Sequence, residues 1–64
     1  MKRNINNIND FVNEYPHIWA SIRDLVRDKD VNNLYCSGYI TGLWSAGIIS
    51  YGMWLRMGNW VSNK

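Results

Sequence analysis

From Val31 to Leu55 the chain carries no charged side chain. A run of roughly 25 uncharged positions is longer than the about 20 residues that cross a bilayer. It must therefore be a membrane segment or the buried part of a small fold. The residues inside the run favour burial. Ser37, Thr41, Ser45, Ser50 and several aromatic side chains keep its hydropathy modest. The tetrad Gly47-Ile48-Ile49-Ser50 breaks it near its C-terminal end. Glycine readily takes the left-handed conformation that ends a helix, and a serine oxygen can cap the start of the next. The stretch from Leu43 to Val61 is thus predicted to be a hairpin of two short helices around an apolar corner. A single membrane-spanning helix is the less favoured alternative.

A chain of 64 residues makes one small domain, residues 1–64, of a size that buries only about 60% of its unfolded surface. Cys36 is the one cysteine, so no disulfide forms within the chain, and a reducing, cytoplasmic setting is expected. One cysteine and one histidine cannot complete a structural zinc site, and no cofactor is expected. The four tryptophans and four tyrosines must supply much of the stability, with the rest assigned to self-association as a homodimer. A net charge of +2 argues against nucleic acid as a partner. The start, MKRNINNIND, lacks the apolar run of a signal peptide. It is expected to be disordered over residues 1–7.

Helical periodicity begins at Ile8. Ile8, Phe11, Val12, Tyr15, Trp19, Ile22 and Val26 step at close to 3.6 residues, and Ile18 and Leu25 widen the stripe. Asp10, Asn13, Arg23, Asp24, Arg27 and Asp28 fall on the opposite, solvated face. Pro16 interrupts the run by removing a donor and restricting Tyr15. The expectation is one helix kinked at Pro16, or two collinear helices with Pro16 in the first turn of the second. A polar connector, residues 28–33, follows, with Asp30 or Asn32 available as a cap. In the third helix, about Asn33 to Ala46, the core face is Cys36, Tyr39, Ile40 and Leu43. Beside it runs a stripe of small residues, Gly38, Gly42 and Ala46. That stripe fits either a close contact with the first helix or an external one, a dimer seam or partner groove. In the fourth helix Met53, Trp54, Met57, Trp60 and Val61 share a face, while Arg56 and Asn59 point away. The fold class is all-α, a small three- to four-helix domain with a C-terminal helical hairpin.

The pattern Leu43-x-x-Ala46-Gly47-Ile48-Ile49-Ser50-x-x-x-Trp54 resembles the short helical hairpin of SHOCT-type domains and similar hairpins in small phage and mobile-element proteins. The resemblance covers less than a third of the chain. Tyr51-Gly52-Met53 stand where that family usually has acidic residues. What it implies is a small helical interaction module without catalysis.

The residues offer few alternatives. Asp10, Glu14 and His17 lie along one helical edge, and Glu14-x-x-His17 has the spacing of a di-metal half-site. One chain supplies no further ligands, so solvated side chains are expected there. Cys36 and His17 could form a nucleophilic pair, but Cys36 lies on the apolar face, where a thiol is ordinary packing. No enzyme activity is expected. A DNA-binding helix-turn-helix regulator is an alternative. Its recognition helix, however, would offer only Arg56, Asn59 and the terminal Asn63 and Lys64. Arg23, Arg27 and Lys29 are each followed by aspartate, which weakens any field for phosphates. Aromatic residues and arginine dominate protein interfaces, and Trp44, Tyr51, Leu55 and Arg56 are the expected partner-binding surface. Covering a functional surface of a host protein, in the manner of a phage inhibitor, is the expected role.

Overall fold

The computed structural model describes residues 4–63. Four helices follow one another: α1 (Ile8–Glu14), α2 (Pro16–Arg27), α3 (Asn33–Ser45) and α4 (Tyr51–Ser62). The domain is all-helical, as the periodicity predicts. Each helix start shows why it begins there. Asn7, Asn32 and Ser50 stand extended at the N-caps, and their side-chain oxygens accept from the backbone N–H of Asp10, Tyr35 and Met53. These bonds satisfy donors that a helix leaves without intrahelical partners. Asp30 is not a cap; its own N–H donates to the Asp28 carboxylate at 2.9 Å within the connector.

Pro16 separates two helices rather than kinking one. It opens α2, while Tyr15 sits outside helical geometry at φ −132° and ψ 59°. Tyr15 still donates to the Phe11 carbonyl, and its own carbonyl accepts from Trp19, both at 2.9 Å. These two bonds carry the backbone across the break, where proline itself has no N–H to donate. The apolar phase continues across the break, with Phe11 and Ile22 fully enclosed.

The hairpin turns where glycine and serine place it. Gly47 has φ +78°. Its N–H donates to the Trp44 carbonyl and that of Ile48 to the Leu43 carbonyl, each at 3.0 Å, which is the paired closure of a Schellman motif. Three contacts in step hold α3 antiparallel to α4. Trp44 and Tyr51 meet at the turn, the Trp54 indole donates to Thr41 Oγ1 at 3.0 Å midway, and Asn33 Nδ2 donates to the Ser62 carbonyl at the far end. Among the described residues no helix is long and apolar enough to cross a membrane.

The segment before α1 departs from expectation. Residues 1–3 lie outside the described residues, but 4–7 are held in place. Ile5 pairs parallel with Ile49, donating to the Ile48 carbonyl at 3.0 Å and accepting from Ser50 N–H at 2.8 Å. Its side chain is 7% exposed and belongs to the core. The hairpin corner has unpaired backbone groups and an apolar gap, and Ile5 fills both. The core thus combines Ile5 and Ile49 with Phe11 of α1, Ile22 of α2, Cys36, Ile40 and Leu43 of α3, and Met53, Met57 and Val61 of α4.

Candidate protein-binding surface

Trp44 ends α3 and Tyr51 opens α4, so the turn brings their rings to one end of the hairpin. Trp54, one turn further on, completes the group. Trp44 and Trp54 stack with centroids 4.7 Å apart and 23° between planes. Tyr51 leans on both, at 5.9 Å from Trp44 and 5.4 Å from Trp54. Trp54 is half-buried and fixed by its bond to Thr41. Trp44 stays 37% exposed and Tyr51 57%. Mutual stacking holds these rings in a preset arrangement while leaving their outer faces to solvent.

Leu55 continues this surface. It is 46% exposed and lines, with Ser37, Trp54, Gly58, Asn59 and Ser62, a shallow groove of about 140 Å³ between α3 and α4. No charged residue stands in α3, and Arg56 is the only one in α4. The ledge is therefore apolar and uncharged, with hydroxyl and amide groups along its groove.

Arg56 is not part of it. The helical phase that puts Tyr51 and Leu55 together carries Arg56 to the Trp60 flank of α4. There Arg56 Nη2 donates to the Asn6 carbonyl at 2.6 Å, and the side chain lines a hollow with Ile8, Trp19, Met57 and Trp60. The predicted four-residue surface thus splits, keeping Trp44, Tyr51 and Leu55 and exchanging Arg56 for Trp54. The core-face phase of α4 does not by itself place Trp54 in this aromatic group. The signal was present in the spacing of Trp44, Tyr51 and Trp54 around a corner that the sequence already located.

The small-residue stripe is not an internal contact. A Cβ built on Gly38 or Gly42 meets nothing within 4 Å, and both glycines and Ala46 are exposed. Helix α2 meets α3 through the other side, where Cys36 Sγ reaches the Leu25 carbonyl at 3.8 Å. Of the two meanings open for the stripe, the packing against the first helix is excluded.

The remaining candidates stay apart. Asp10, Glu14 and His17 are exposed, and no group of three His, Cys, Asp or Glu side chains among the described residues is placed to hold a metal. Asp10 is engaged in the cap of α1, accepting from Asn7 Nδ2 at 3.0 Å. Cys36 is buried in the core and His17 lies on the outer face of α2, so burial separates a nucleophile from its base. A recognition helix at α4 would rely on Arg56, and that guanidinium is bonded back to the chain's own N-terminal segment. No protein-family model, curated protein or solved structure matches this chain.

Proposed function

We propose that this chain is a small helical protein-binding module without catalysis, which docks on a host protein through the ledge of Trp44, Tyr51, Trp54 and Leu55. It acts by occlusion, covering a functional surface of its target in the cytoplasm, as an inhibitor or regulator of the phage or mobile-element kind. The observation that carries this reading is the cluster of three rings, a stacked tryptophan pair with Tyr51 tilted against both, in which Trp44 and Tyr51 stay exposed. Tryptophan and tyrosine are the residues that most often carry binding energy at interfaces. The lack of charged side chains in the ledge and its groove suits the dry centre of such an interface. The SHOCT-like hairpin resemblance supports the same class.

The module also pairs with a second copy of itself. The outer face of α3 offers Gly38, Gly42 and Ala46 beside exposed Leu34 and Tyr35. Two such faces meet without burying any charge.

Affinity capture tests the docking surface. The tagged chain is expected to retain one host protein at near-stoichiometric amount. Trp44→Ala combined with Tyr51→Ala should abolish capture, while Arg23→Ala, exposed on α2, should not. Capture that survives the double variant in a chain with native far-UV circular dichroism removes the ledge from the mechanism. Retardation of duplex DNA with a steep salt dependence would instead favour the helix-turn-helix alternative.

A further inference from the structure

The Trp60 flank of α4 holds a second feature, built from different residues. Ile8, Trp19, Met57 and Trp60 line an open hollow of about 270 Å³, and among the described residues Arg56 is the one charged side chain lining it. Its walls are ordered. Trp19 and Trp60 stack with centroids 5.5 Å apart and 26° between planes, Phe11 meets Trp19 edge-on, and Met57 is fully buried beneath. The cation is ordered as well. Arg56 Nη2 donates to the Asn6 carbonyl at 2.6 Å, a bond that occupies one of the five guanidinium N–H groups and orients the rest. Among the described residues no acidic side chain lines the hollow.

Size and charge together define the occupant. The hollow falls below the roughly 300–1,000 Å³ of sites for drug-sized ligands, and suits a single apolar side chain. Arg56 calls for a carboxylate immediately beside that side chain, since guanidinium–carboxylate pairs are short-range and directional. The last residue of a polypeptide has both groups on one Cα. We propose that this hollow binds the free C-terminus of a partner polypeptide ending in a large apolar residue. The side chain lies against Trp19 and Trp60, and the carboxylate pairs with the N–H groups of Arg56 not used by Asn6. This site is separate from the ledge and does not depend on it.

Titration of the full chain with an acetylated tripeptide ending in phenylalanine tests this, followed by the indole N–H signals in ¹H–¹⁵N spectra. The free-acid peptide is expected to shift the signals of Trp19 and Trp60 and leave that of Trp44 in place. Its C-terminal amide should bind at least about tenfold more weakly, the scale of losing a charged hydrogen bond. Arg56→Gln should erase the difference between acid and amide, and Arg56→Lys, which keeps the charge, should retain part of it. Equal binding of acid and amide, shifts centred on Trp44, or no binding of either peptide would overturn the proposal. So would 3-phenylpropionate binding as tightly as the peptide, which would make this a site for free apolar acids.

Discussion

Replacing Ile5 by alanine tests the least expected part of the fold. The side chain is 7% exposed, so nearly all of the three carbons removed are lost from the interior. At about 0.8 kcal/mol per buried carbon the transfer loss is about 2.4 kcal/mol. Cavity formation adds to this in rigid sites, within an overall range of about 2–5 kcal/mol for Ile→Ala. The segment lies at the edge of the core and can settle inward, which places the change near the low end, at about 2.5 kcal/mol. A chain of this size has a total stability of about 3–10 kcal/mol, so the loss is a large fraction. With an unfolding entropy of roughly 2.1 cal/mol/K per residue, the melting temperature should fall by about 15–20 °C. Thermal unfolding followed by far-UV circular dichroism measures it. Ile8→Ala is the control. Ile8 stands at the head of the apolar stripe but is 38% exposed, and its truncation should cost about 1 kcal/mol. Periodicity alone ranks Ile8 above Ile5, and the structure ranks them the other way. A fall of less than about 3 °C for Ile5→Ala, or a larger fall for Ile8→Ala, refutes the pinned segment.

Two further substitutions probe the glycines. Gly47→Ala forces a Cβ into the left-handed region at φ +78° and should cost about 1–2 kcal/mol, read as a fall in Tm of about 7–15 °C; an unchanged Tm would mean that the corner does not need glycine. Gly42→Glu adds a charged side chain to the open side of α3, leaves helicity intact, and should convert a sedimenting dimer to monomer. Wild-type chain that sediments as a monomer at every concentration removes the self-association.

What the sequence made legible follows the range of each interaction. Gly47 and Ser50 act within three or four residues, so the corner could be placed from them alone. Asn32 and Asp30 are both cap candidates by residue type, and the bond from Tyr35 N–H to the Asn32 side chain decides between them. Pro16 showed that the first run is interrupted. Break rather than bend depended on the backbone angles of Tyr15, which no residue type dictates. Ile5 had no local signal at all. It sits among asparagines, and its partners Ile48 and Ser50 are more than forty positions away. The ledge was partly visible, since Trp44, Tyr51 and Leu55 were singled out from their distance to the core face. Arg56 was grouped with them by composition, against the helical phase that sets it 100° from Leu55.

The placement of the four tryptophans explains how so small a domain can be stable while keeping aromatic surface open. None of them is in the fully buried set, where Met53, Met57, Ile40 and Phe11 take the space. A core assembled from twelve- and thirteen-residue helices lacks the volume to enclose an indole on all sides. The indoles instead form two stacked pairs, Trp44 with Trp54 and Trp19 with Trp60, on opposite flanks of α4. In each pair the inner ring, Trp54 or Trp19, packs on the core and the outer one, Trp44 or Trp60, stays partly exposed, which lessens the cost of exposure without removing the surface. Helix α4 carries Gly52 and Gly58, each costing roughly 1 kcal/mol in a helix interior, and it needs support on both flanks. The same pairs that provide that support form the ledge on one side and the arginine-lined hollow on the other. Under the proposed function, stability and recognition draw on the same side chains. A substitution of Trp54 or Trp60 should weaken binding and folding together, whereas Tyr51, at the outer edge of its group, is the ring where the two can be separated.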